Sequence, residues 1–199
     1  MIRLLSLVLV VTFSSYASGS TLLILGDSLS AGYQMPIEKA WPSLLSQSLQ
    51  EKGKNVTVIN ASISGDTSGN GLMRLPLLLQ KHKPDTVLIE LGANDGLRGF
   101  PLKVLQSNLS TIVRKIREEG SKPILMQIHV LPNYGKRYTA AFSKVYPTIS
   151  NSDGVPLIPF FLEKVVTKPE WMMPDGLHPT EHAQPWIAEF VASQISEYL

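Results

Sequence analysis

Four short polar blocks interrupt a largely apolar chain of 199 residues, and they hold the side chains that acyl transfer requires. The blocks are Gly26-Asp27-Ser28-Leu29-Ser30-Ala31-Gly32, Ala61-Ser62-Ile63-Ser64-Gly65-Asp66-Thr67-Ser68, Gly92-Ala93-Asn94-Asp95-Gly96 and Pro174-Asp175-Gly176-Leu177-His178-Pro179. Attack by a serine needs a hydroxyl, a base to take its proton, a group to orient that base, and donors aimed at the developing oxyanion. Ser28 is the candidate nucleophile and His178 the candidate base. Asp175 precedes His178 by three residues, so its carboxylate can meet the Nδ1 proton and leave Nε2 free to accept from Ser28. The backbone N–H groups of Ser28 and Gly65 and the side-chain amide of Asn94 are the candidate oxyanion hole. Gly26 is expected to let the chain turn sharply enough to expose Ser28, and Gly65 to permit a close approach that a Cβ would obstruct.

Other chemistries fit less well. Asp175, His178 and His182 could be metal ligands, but Pro179 disturbs the helix that would align them, and no His-Glu-x-x-His motif or further ligand cluster is present. No metal or other cofactor is therefore expected. Ser30 stands where a Gly-x-Ser-x-Gly elbow has its second glycine, and no Gly-Lys-Ser/Thr phosphate loop occurs. Cysteine is absent, which excludes disulfides, thiolate metal sites and a lipidated cysteine anchor. Eighteen Lys plus Arg against sixteen Asp plus Glu give a net charge of +2 with no basic run, so nucleic acid is not an expected partner. With 44% hydrophobic and 17% charged residues the chain can bury a substantial core.

The elements that must position these blocks follow from hydrophobic periodicity. Nearly continuous apolar runs at Thr21–Leu25, Val56–Asn60, Thr86–Leu91, Pro123–His129 and Val155–Phe160 read as strands buried on both faces. Trp41, Leu44, Leu45 and Leu49 recur at helical spacing, as do Leu102, Leu105, Leu109, Ile112 and Ile116, and Pro185 can open a last helix through Trp186, Phe190, Val191 and Ile195. Leu72, Leu75, Leu78 and Leu79 are also helical in period, with Pro76 expected in a first turn or at a kink. This alternation predicts a single three-layer α/β/α domain over residues 18–199, with a five-stranded, parallel, doubly wound, flavodoxin-like sheet. In such sheets the site lies beyond the carboxyl ends of the strands, where the first three blocks stand.

The chain resembles the SGNH hydrolases, also called GDSL esterases, whose four motif positions match Ser28, Gly65, Asn94 and His178. The likeness extends through residues 22–33, 60–68 and 94–100. It implies an enzyme that cleaves acyl esters and thioesters (thioesterase, arylesterase and lysophospholipase activities) through an acyl-Ser28 intermediate. Its substrate would be a small molecule, expected to be fatty acyl because Met35, Leu97 and Phe100 stand near the motifs. Gly96 and Gly99 are expected to act as hinges for a lid carrying Leu97. Two rival readings remain, a carbohydrate O-deacetylase of the same fold and a lipid-binding module that does no catalysis.

Arg3, the apolar stretch Leu4–Phe13 and the small residues Ser14–Ser20 read as a signal peptide over residues 1–17, with cleavage after Ala17 or after Gly19. The stretch is about half of the roughly 20 residues that a spanning helix needs, so no membrane span is expected in the mature chain. The expectation is a monomeric periplasmic or secreted protein.

Overall fold

The computed structural model describes residues 19–130 and 134–199. The expected signal peptide lies outside the described residues. Five strands, β1 (Ser20–Gly26), β2 (Val56–Asn60), β3 (Thr86–Glu90), β4 (Lys122–Met126) and β5 (Leu157–Ile158), form one parallel sheet in the order β2-β1-β3-β4-β5. This is the doubly wound arrangement predicted from the apolar runs. Leu22 to Leu25 and Val87 to Ile89 are fully buried, as central strands covered on both faces must be. The chain leaves β1 toward β2 and then returns past β1 to β3, so the strand order reverses at β1. A crevice opens there at the carboxyl ends of β1 and β3.

Right-handed crossovers assign the helices to faces. The β1 to β2 connection runs one way and carries α1 (Trp41–Glu51), which packs against the C-terminal α8 (Gln184–Ile195). The later connections run the other way and carry α2 (Ser68–His82), α4 (Leu102–Glu118) and α6 (Val145–Asp153), which pack in sequence on each other. The core fills the space between sheet and helices, with Trp41, Phe142, Tyr146 and Phe161 its largest buried side chains.

Some elements differ from expectation. β5 has only two residues because Pro156 and Pro159 bracket it and cannot donate to a ladder. β4 consequently ends at Met126, after which Gln127 N donates to Ile158 O at 2.9 Å and the partner strand runs out. Residues 128–130 are thereby released toward the crevice. α2 continues past Pro76, so this proline is not in the first turn. Short helices α3 (Ala93–Leu97), α5 (Lys136–Ser143) and α7 (Leu162–Val165), together with α6, occupy segments whose apolar spacing is too sparse to announce them.

Gly92 sets the start of α3, the helix that presents Asn94. Its φ is 123°, and a Cβ built there would stand 2.1 Å from the Tyr146 hydroxyl, which itself donates to Leu91 O at 2.9 Å. Both backbone shape and space therefore require glycine. Gly92→Ala is expected to destabilise the fold by about 3 kcal/mol or more, read as a lowered urea midpoint. An unchanged midpoint would show that Tyr146 yields without cost.

Candidate active site

Ser28 opens a single helical turn directly after β1. Ser30 N and Ala31 N both donate to Asp27 O, at 3.2 and 2.9 Å, while Leu29 N donates to the Asp27 carboxylate at 3.0 Å. The Trp41 indole donates to Leu29 O at 3.0 Å, and Asn60 at the end of β2 donates to Ser30 O at 2.8 Å. The turn is thus held from below by its own aspartate and from the sides by α1 and β2. Gly26 does not supply a sharp bend here. It is the last strand residue, paired with Glu90, and a Cβ would meet the Glu90 carboxyl and the Ser62 hydroxyl at 2.8 Å. Its role is to let that carboxyl pack against the strand.

The structure brings Ser28, His178 and Asp175 together across 150 residues. The Ser28 hydroxyl lies 2.8 Å from His178 Nε2, and His178 Nδ1 lies 2.7 Å from Asp175 Oδ2. The other Asp175 oxygen accepts from the N–H groups of Leu177 and His178 at 2.9 and 3.0 Å. Burial works against the Asp175 charge, but the hydrogen bonds from the His178 ring and from both N–H groups hold its carboxyl below the usual range. A carboxylate at Nδ1 fixes the tautomer that can accept the serine proton at Nε2. The Tyr33 ring stacks on the imidazole with centroids 4.1 Å apart. Sequence reasoning missed Tyr33, and the signal available was an aromatic residue five positions after the serine in the same polar turn. Asp175, His178 and His182 form no three-residue cluster able to hold a metal ion.

The three candidate oxyanion donors come from three strand ends. The N–H groups of Ser28 and Gly65 make no hydrogen bond within the described residues. Gly65 has φ 85°, and nothing lies closer to a built Cβ than Arg98 Nη2 at 3.8 Å, so backbone conformation and not crowding calls for glycine. The Asn94 amide is fully engaged, donating to Asp27 Oδ2 at 3.1 Å and to Asp66 O at 3.0 Å. An oxyanion at this site must share one of those protons. The adjacent Asp95 points the other way and binds Ser68 N and Oγ at 2.7 and 2.5 Å, which joins α3 to the start of α2. Arg74 of α2 completes the frame, donating to Asp66 Oδ2 at 2.7 Å, to Gly26 O at 3.2 Å and to Ala61 O.

A cavity of about 510 Å³ opens beside Ser28 and His178. Its walls are mainly apolar, with Leu97, Val130, Phe160, Leu162, Val166 and Met172 among them. Leu97 is where the sequence reading placed it. Phe100 is outside the wall, because Gly99 (φ 65°) turns the chain and Phe100 N is tied back to Asp95 O at 2.9 Å. Met35 is outside that wall and borders a small adjoining crevice that shares Ser28, Tyr33 and His178 with the cavity. Gly96 is no hinge: it lies inside α3, and a Cβ there would stand 2.3 Å from Val130 Cγ1. His129 also lines the cavity, with Nε2 3.0 Å from Glu163 and Nδ1 3.1 Å from Ser143 Oγ. Trp171 packs against Trp186, with Lys168 over its ring, and does not reach the cavity.

Over residues 24–184 the sequence matches the GDSL-like Lipase/Acylhydrolase family. The chain belongs to that family. The hydrolase is 64% identical to an arylesterase of Vibrio mimicus, with all of both chains covered. It is 52% identical to thioesterase 1/protease 1/lysophospholipase L1 of Escherichia coli strain K12, over 90% of this chain and 85% of the relative. Among solved structures it superposes on the psychrotrophic esterase EstA from Pseudoalteromonas with a TM-score of 0.87, at 43% identity and covering 90% and 98% of the two chains. It is an ester-cleaving enzyme of the α/β fold that the strand rhythm predicts.

Two buried carboxyls lie beneath the nucleophile of the hydrolase. Asp27 N and the Ser30 hydroxyl donate to Glu90 Oε2 at 3.3 and 2.7 Å, and Glu90 is fully buried beside Asp27. Burial, reinforced by the neighbouring Asp66 and Asp95 charges, pushes Asp27 from 3.8 up to about 7, against the hydrogen bonds from Leu29 and Asn94. Burial and then the Asp27 charge raise Glu90 well above the usual carboxylate range. Both groups hold protons more tightly when folded than when unfolded. Folding therefore takes up protons in the window between 3.8 and about 7, and stability falls as pH rises through it. Urea midpoints are expected to drop between about pH 4 and about pH 7, and Glu90→Gln to flatten that slope. A midpoint that rises with pH in the parent protein would show both carboxyls to be ionised throughout.

Proposed function

We propose that the hydrolase cleaves acyl esters and thioesters through an acyl-Ser28 intermediate, with a fatty acyl chain lying in the apolar cavity. The observation that carries this reading is the unbroken hydrogen-bonded line from Ser28 through His178 to Asp175 at the mouth of that cavity. Nε2 of His178 accepts the serine proton as Oγ attacks the carbonyl carbon. The Asp175 carboxylate stabilises the imidazolium that forms. The N–H groups of Ser28 and Gly65 and one Asn94 proton receive the oxyanion. Collapse of the tetrahedral intermediate breaks the bond to the leaving alcohol or thiol, which takes the proton from His178. Water, deprotonated by the same nitrogen, then releases the acid and restores Ser28. Names of the relatives, arylesterase and thioesterase 1/protease 1/lysophospholipase L1, agree with this substrate range. The apolar walls favour a long acyl group over the acetyl group of a carbohydrate deacetylase, which suits a polar open groove. The basic, apolar and small-residue order of residues 3–20 supports export across a membrane.

Labelling by a fluorophosphonate tests the reading directly: the parent protein should be modified at Ser28, and Ser28→Ala should lose both labelling and turnover. Turnover that survives in Ser28→Ala overturns the mechanism. Asn94→Ala is expected to lower kcat by about 10²–10³-fold with a smaller change in KM, and a change confined to KM would make Asn94 a binding group instead.

Leu97 provides the test of acyl specificity. Each buried methylene is worth about 0.8 kcal/mol, so kcat/KM should climb several-fold per added carbon until the cavity is full. Leu97→Ala, assayed on p-nitrophenyl esters of increasing length, should hurt long chains most and acetate least. A uniform loss would mean that Leu97 supports the oxyanion donors and does not read the chain.

A further inference from the structure

Large hydrophobic side chains are exposed singly at Ile37 and Val104 and as Met73 and Leu77 on α2, and five more gather at one edge of the sheet. Ile63, Leu97, Phe100, Tyr134 and Val166, between 36% and 50% exposed, follow β2, β3, β4 and β5 at the edge where the cavity opens. None is exposed on the turns of the opposite edge, at residues 52–55, 83–85, 119–121 and 154–156. Within this rim, two hydrogen bonds tie Tyr134, Leu97 and the Ile63 loop together. The Tyr134 hydroxyl donates to Leu97 O at 3.3 Å, and Arg98 Nη2 donates to Gly65 O at 2.9 Å, which draws the end of α3 onto the loop that carries Ile63. Leu97 and Val166 belong to both rim and cavity wall, so apolar surface runs without a break from the outside to the space beside Ser28.

Cations outnumber carboxylates among the charges interleaved with this rim. Arg98, Lys103, Lys136 and Arg137 are exposed, and none forms an ion pair among the described residues. Fewer carboxylates share the edge: Glu163 and Asp175 contact the rings of His129 and His178, and Glu170 is exposed with no ion pair among the described residues. Apolar side chains that can enter an acyl layer, flanked by cations with no carboxylate partner, fit a lipid–water boundary that carries negative charge.

We propose that this rim docks the hydrolase on an anionic lipid surface, from which an amphiphilic ester passes its acyl chain along Leu97 and Val166 into the cavity. The proposal rests on the acyl-hydrolase reading above and extends it to the physical state of the substrate. It needs no helix that spans the layer, and among the described residues no helix is long and apolar enough to do so. The contact is peripheral and reversible, because a few side chains and four cations supply it.

Flotation of the Ser28→Ala protein with lipid vesicles tests docking without hydrolysis. The protein should float with vesicles made of equal parts phosphatidylcholine and phosphatidylglycerol, and several-fold less with phosphatidylcholine alone. Each basic residue near such a surface is worth about fivefold in partition, so Lys136→Glu with Arg137→Glu should cut flotation at least about tenfold. Phe100→Ser should cut it by removing apolar contact. Lys81→Glu with Lys122→Glu, on the opposite edge, should leave it unchanged. The rim substitutions placed in the Ser28 protein should keep full turnover of soluble p-nitrophenyl acetate, which separates lost docking from lost folding. Equal flotation with neutral vesicles, or flotation that survives both the charge reversal and Phe100→Ser, overturns the proposal. Absence of p-nitrophenyl acetate turnover in the parent would overturn the catalytic reading instead, since flotation of Ser28→Ala requires no catalysis.

Discussion

The Asp27 carboxyl joins the turn that carries Ser28 to the helix that carries Asn94. One oxygen accepts from Leu29 N and shapes the turn that carries Ser28, and the other accepts from Asn94 Nδ2, so nucleophile and oxyanion donor are registered against a single group. Its own N–H reaches Glu90, which is paired with Gly26 across the β1–β3 ladder. Taking two carboxyls out of water is unfavourable, and it is tolerated where protons and short hydrogen bonds offset the charge. The strand order makes this possible: only because β1 and β3 are neighbours can the residues after both strands meet over the same carboxyl.

The site is thereby divided into two mechanically different parts. Ser28, Gly65 and Asn94 sit on turns welded to the sheet by Asp27, Arg74, Asp95 and Asn60, all buried or partly buried. His178 and Asp175 come from a loop far along the chain that touches this bed through the contact to Ser28 and the Tyr33 stack. Preorganisation of charge stabilisation is the larger demand in acyl transfer, and it is the welded part that supplies it.

The strands were legible because a strand buried on both faces must be almost entirely apolar, and Leu22–Leu25 or Val87–Ile89 admit no other reading. The candidate groups were legible because each block follows a strand and combines a turn with a reactive side chain. What escaped was set by partners distant in sequence. Gly26 and Gly96 look like turn formers, yet each is dictated by a side chain packed against it, the Glu90 carboxyl and Val130. Phe100 looked like a cavity residue by proximity to Asn94, and a backbone turn at Gly99 sends it outward. The His129–Glu163 contact and the Tyr33 stack join residues 34 and 145 positions apart, and no local pattern encodes such meetings.

The loop that carries the acid and the base is closed on itself. Met173 N donates to His178 O at 2.8 Å, Thr180 N donates to Trp171 O at 2.7 Å, and Met172 bridges Pro179 as a minimal antiparallel pair. At its foot Trp171 rests on Trp186, and Trp186 on Phe190 of α8. Asp175 and His178 therefore travel as one piece, and thermal agitation of the loop changes the gap to Ser28 while sparing the gap between them. Warming should silence the enzyme at temperatures where its spectrum still reports a native sheet, and cooling should restore it at once. Inactivation and unfolding are then separate events governed by separate sets of contacts.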